Sequence, residues 1–134
     1  MSDRKLYVGA TAHCTIYIDQ DDIRHLARIS GNQSQVHVNW QTAVAAGFGK
    51  LVAQPALLEA YVEAVIANHR GGQSLSNCRK TTHIEHYASP HAGERVCVAA
   101  TIKSIAGAVT SYEVTVESER GNLLAAGTID IVRQ

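Results

Sequence analysis

Gln54-Pro55-Ala56-Leu57-Leu58-Glu59-Ala60-Tyr61-Val62-Glu63-Ala64-Val65-Ile66-Ala67-Asn68 is the stretch that decides the fold of this chain. Pro55 suits a first helical turn, because its φ is pre-set and the N–H it lacks would have no acceptor there. From Ala56 to Ala67 the apolar residues go right round the helix instead of forming one stripe, which predicts a buried helix. Only Glu59 and Glu63 interrupt it, and their i,i+4 spacing puts both on one face. A carboxylate on a buried helix is costly unless it is paired or has a task. Asn68, His69, Arg70, Gly71 and Gly72 then supply a polar, glycine-rich stop.

Downstream the apolar period falls from 3.6 to 2. Lys80–Ala88, Arg95–Ile105, Ala108–Ser118 and Leu123–Val132 read as strands rich in Val, Ile, Thr and Tyr. Ser89-Pro90-His91-Ala92-Gly93, Ala106-Gly107 and Glu119-Arg120-Gly121-Asn122 separate them with turn chemistry, so neighbours run antiparallel. Upstream, His13–Ile18 alternates as a first strand. Asp19 or Asp21 can cap a helix carrying Ile23, Leu26, Ala27 and Ile29. A loop over residues 30–35, a brief extended piece Val36–Val38 and a short helix from Trp40 to Phe48 complete the chain. The expectation is an α+β architecture: a single domain over residues 1–134, with one curved antiparallel sheet wrapped around the long central helix.

The 134 residues are 46% hydrophobic, enough for a real core, and 12 basic residues balance 12 acidic ones. With no basic field, neither nucleic acid nor a membrane surface is an expected partner. The N-terminal MSDRKLYVGATAH lacks the apolar centre of a signal peptide, which points to the cytoplasm. Cys14, Cys78 and Cys97 are odd in number and widely spaced, so they read as buried reduced thiols. Of the seven histidines, His83 and His86 stand i,i+3, but on a strand they face opposite ways, so no metal site is expected. No cofactor is implied. His83 and His91 read as surface residues.

The stretch from Tyr7 to Leu58 is similar to the MaoC-like, (R)-specific enoyl-CoA hydratase family of hot-dog domains. That family shows a helix, then Ser-Gly-Asp-x-Asn-Pro-Ile-His, an Ala…Gly-Phe stretch, and Ile-Ala-His-Gly before the central helix. EHYASPHAGERVCVAATIKSI resembles the family's strand, Pro-x-x-x-Gly turn and next strand. In this frame the catalytic Asp falls on Asn32, after Ser30 and Gly31, and the catalytic His on His37. The His-Gly pair becomes Gln54-Pro55. An amide cannot accept and return a proton as a carboxylate does, so Asn32 is left to orient water or substrate while His37 does acid/base work.

The missing carboxylate then has to come from Glu59 or Glu63. PALLEA resembles the Pro-Gly-x-x-x-x-Glu-Ala of hot-dog carrier-protein dehydratases, whose helix glutamate works with a loop histidine. Alternatively each glutamate reaches the surface or an Arg or Lys of a dimer partner. His86 points with Ile84 to the apolar side of its strand. In the fluoroacetyl-CoA thioesterase-like hot-dogs, a His in a similar strand partners a helix Glu and a hydroxyl at the helix start, where this chain has Gln54. A thioester oxygen gaining charge needs backbone donors, for which the N-terminus of the central helix offers Ala56 and Leu57. Val52 and Ala53 would line the acyl slot, and Lys50, Arg70, Arg79 and Lys80 are cations within reach of a substrate phosphate.

Three functions follow. The resemblance implies a hydro-lyase, a hydratase or dehydratase acting on a 2-enoyl or 3-hydroxyacyl thioester of CoA or acyl carrier protein. The alternatives are a thioesterase using Glu59 or Glu63 with His86, and a non-catalytic acyl-binding subunit. An exposed sheet edge implies a homodimer or a dimer of dimers.

Overall fold

The computed structural model describes residues 6–31, 50–71, 75 and 78–133. The expected extended piece Val36–Val38 and the helix from Trp40 to Phe48 lie outside these residues, as do Asn32 and His37.

The chain opens with β1 (Thr11–Tyr17) and α1 (Gln20–Ser30). Asp19, not Asp21, caps α1: its Oδ1 accepts from the Asp21 N–H at 2.8 Å, satisfying one of the donors a helix start leaves over. Ile23 and Ala27 of α1 are buried and Leu26 packs half-buried against the core, whereas Ile29 is exposed. The central helix α2 (Pro55–His69) follows, and then β2 (Cys78–His86), β3 (Arg95–Ala106), β4 (Val109–Ser118) and β5 (Leu123–Arg133). All pair antiparallel in one sheet of order β1-β3-β4-β5-β2. The β3–β4 hairpin turns at Gly107, whose φ of 62° is one that only glycine adopts without strain.

The sheet wraps α2 as the sequence predicts. Leu57, Leu58, Val62, Val65 and Ile66 of the helix are buried against Val96, Val98, Ile102, Tyr112, Val114, Val116, Ile129 and Ile131 of the sheet. Each such side chain contributes about 1.5–3 kcal/mol. The expectation of a helix buried all round is corrected in one respect. Ala56, Ala60 and Ala64 form an exposed stripe, because alanine carries too little apolar area for a sheet curving past one side to cover every face.

The thiols also depart from expectation. Cys14 and Cys97 are exposed and Cys78 is half-buried; all three are free. Cys14 sits on the rim strand β1, and Cys97 sits beside the Thr15 hydroxyl at 3.6 Å. A residue on a rim strand or an outward sheet position has no layer above it, whatever its hydropathy.

Candidate active site

The segment leading into α2 is sewn to the loop that follows β2. Val52 bridges His91, the Ala53 N–H donates to Pro90 O at 2.9 Å, and the Ala92 N–H donates to Leu51 O at 2.9 Å. His91, expected at the surface, is therefore half-buried, while His83 is exposed. These bonds bring the start of α2 to the end of β2, where the inward positions are Thr82, Ile84 and His86.

There His86 Nε2 and Glu59 Oε2 stand 2.7 Å apart. The sequence offered His86 with Glu59 or Glu63, and the structure joins it to Glu59, from helix to rim strand. The side chains are 19% and 36% exposed respectively, so the pair is sheltered yet reachable by water. The other ring nitrogen of His86, Nδ1, is buried and has no hydrogen-bond partner among the described residues.

One turn further along α2, Glu63 Oε2 meets Lys80 Nζ at 2.6 Å. Glu63 thus meets a lysine of its own chain, where the sequence reading offered the surface or an Arg or Lys of a dimer partner, and Glu59 meets an imidazole.

Gln54 is 3% exposed and caps nothing with its side chain. Its Nε2 donates to Ile23 O at 2.8 Å, tying the start of α2 to α1. Its amide is thus anchored to α1 from the helix entrance, where the sequence placed it. Of the two expected backbone donors, the Leu57 N–H is committed to Gln54 O at 3.0 Å. The tight first turn uses it within the helix. The Ala56 N–H has no intrahelical acceptor and remains the oxyanion candidate. Val52 and Ala53 are buried, at 4% and 0% exposure, and Gly31 ends α1 in the left-handed conformation. Lys50 lines a cavity of about 530 Å³ with Tyr17, Asp19, Asp21, Leu51 and Gly93, but neither Glu59 nor His86 borders it.

Two polar features escaped sequence reading. Tyr61, counted there as one more apolar residue of the helix, has its hydroxyl pushed up to about 12 by burial and then by the negative charges of Asp22 and Asp19. At the far end of α2, His69 Nδ1 lies 3.3 Å from the hydroxyl of Tyr112. Burial raises that phenol, and the neighbouring Arg70 opposes the rise. A tyrosine in a helix or strand pattern carries no sign of what its hydroxyl will meet. Among the described residues no group of three or more His, Cys, Asp or Glu side chains is placed to hold a metal, and no helix is long and apolar enough to cross a membrane.

No protein-family model and no curated protein sequence matches the chain. Solved structures do. The (R)-hydratase PhaJ1 from Pseudomonas aeruginosa, unliganded, matches with a TM-score of 0.83 and 21% identity, over 96% of this chain and 82% of that one. The (R)-hydratase from A. caviae involved in PHA biosynthesis matches with a TM-score of 0.84 and 13% identity, over 97% and 98%. The fluoroacetyl-CoA thioesterase FlK matches with a TM-score of 0.70 and 15% identity, over 96% and 87%. The hot-dog fold expected from the sequence is therefore the fold of this chain. At these identities the likeness is one of fold, which hydratases and a thioesterase share.

Proposed function

We propose that this protein acts on acyl thioesters of CoA or a carrier protein and that its reaction is hydrolysis, carried by Glu59 and His86. The observation behind this reading is the 2.7 Å contact between them at the start of the central helix. Glu59 takes a proton from water, His86 holds the carboxylate in place, and the water oxygen bonds to the thioester carbon. The carbonyl oxygen gains the negative charge and is met by the Ala56 N–H at the positive end of α2. Collapse of this adduct breaks the carbon–sulfur bond, and the proton held by the pair passes to the departing thiolate. Acid and free thiol are the products.

Hydration or dehydration of a 2-enoyl or 3-hydroxyacyl thioester is the second reading, favoured by the likeness to two (R)-hydratases over nearly the whole chain. It gives His37 the acid/base role, with Asn32 orienting and Gly31 shaping the turn before it. For assembly the reading is a homodimer or a dimer of dimers. The exposed Ala56, Ala60 and Ala64 stripe and the unpaired edge of β2 are surfaces that a second copy would cover.

Mass spectrometry of the protein incubated with saturated, 2-enoyl- and 3-hydroxyacyl-CoA distinguishes the two. Release of free CoA that disappears in Glu59→Gln is the expected result. Gain or loss of water with the thioester intact, abolished by His37→Ala and not by Glu59→Gln, would overturn hydrolysis in favour of hydration.

A further inference from the structure

Among the described residues β2 is a rim strand whose sole strand neighbour in the sheet is β5, and α2 makes its main backbone approaches to β3 and β1. What places His86 is therefore the way β2 lies on β5. In that pairing Ile84 stands opposite Gly127 and His86 opposite Ala125. The crossing at Gly127 is unusually close. A Cβ on residue 127 would fall 1.9 Å from His83 O, 2.7 Å from Ile84 Cα and 2.8 Å from His83 C. All three are backbone atoms, so no side-chain rotation could make room. Glycine inside a strand weakens it and is found where another backbone comes close. Here the backbone that comes close is the one leading, two residues on, to His86.

We propose that Gly127 is a positioning residue. By leaving no side chain under His83 and Ile84, it lets β2 fold in across β5 and carry the His86 ring to Glu59. This rests on the reading that the Glu59–His86 pair does the chemistry. A Cβ at 127 forces the two strands apart by more than 1 Å if the contact is to reach ordinary separation, and the His86 ring moves with β2. Misplacement by about 1 Å costs up to about 10²-fold in rate.

The test compares Gly127→Ala with Ile84→Ala in the full chain. Gly127→Ala should lower kcat by about 10- to 10²-fold with KM within about twofold. The NMR signals of the His86 ring nitrogens should shift towards those of Glu59→Gln. Ile84→Ala keeps the backbone crossing and removes only a side chain, so it should leave those signals in place and kcat within about threefold. In a Glu59→Gln background Gly127→Ala should add no further loss, because the contact it disturbs is already gone.

Unmoved His86 signals in a folded Gly127→Ala overturn the proposal. So does equal loss with and without Glu59, or an Ile84→Ala variant that loses the His86–Glu59 signature. The last result stands on its own where Gly127→Ala does not fold. Failure of the underlying reading looks different: Glu59→Gln would retain full thioester hydrolysis while the NMR comparison still reports on Gly127.

Discussion

Glu59 and Glu63 share a helix and a face and both reach β2, yet they meet different partners. Glu63 finds the Lys80 amine at 2.6 Å. Glu59 finds the His86 imidazole at 2.7 Å. The spacing that makes the two look equivalent in sequence is a helix repeat. The difference comes from the strand opposite, which offers a long flexible amine at one end and an imidazole next to a tight loop at the other. Two carboxylates one turn apart thus divide into a carboxylate–amine pair and a carboxylate–imidazole pair by what the sheet presents to them.

Substitution breaks the comparison most sharply. Glu59→Gln or His86→Ala should lower kcat/KM for thioester hydrolysis by about 10²–10⁴-fold, the range for removing a positioned acid or base. Glu63→Gln and Lys80→Met should stay within about threefold, since neither touches the reacting atoms in this reading. A loss at Glu63 as large as that at Glu59 would dissolve the distinction. Steady-state kinetics on a saturated acyl-CoA decides it.

Tyr61 sharpens the comparison by adding a polar group on the same helix governed mainly by burial. Folding raises its hydroxyl from the ordinary 10.0 to about 12, so the native state favours the protonated phenol. That contribution is complete below the unfolded value and is lost as pH rises through the folded one. The urea midpoints of the wild type and Tyr61→Phe should therefore fall in parallel up to about pH 10 and then separate, with Tyr61→Phe the less affected. Absorbance of ionised tyrosine, titrated in both proteins, checks the assignment.

The smallest effect belongs to the Glu63–Lys80 pair. Its side chains are 38% and 32% exposed, and such pairs contribute about 0–1 kcal/mol. Lys80→Met should shift the unfolding free energy by no more than that, and about 1 M salt should erase most of the difference. Paired urea melts at low and high salt give the measurement.

The fold was legible because its signals are periodic. The apolar run from Ala56 to Ala67 and the four alternating segments after it needed no partner to be recognised, and each strand was found to within two residues at either end. The helix cap was legible as a choice between Asp19 and Asp21. The site was legible only as residue types. Glu59 and His86 were both singled out, but nothing in the chain says which of two glutamates a strand histidine will face, because that is fixed by the curvature of a sheet. Gln54 was read at the entrance of the central helix, where it stands, but nothing in the sequence signalled that its amide would answer a carbonyl of α1. The hydroxyls of Tyr61 and Tyr112 were missed for the same reason: their burial is a property of the packed layers and not of the helix or strand they belong to. The cysteines were misread because residue type was taken for depth.

The rim position of β2 carries one further consequence. Among the described residues its ladder is sewn along a single side, as is that of β1, so the two rim strands open under mild denaturant before the inner strands β3, β4 and β5. The histidine rides on a rim strand and the glutamate on the buried central helix. Catalysis should therefore fail at a lower urea concentration than the circular dichroism of the sheet, giving the protein a dormant form that is still folded and regains activity on dilution.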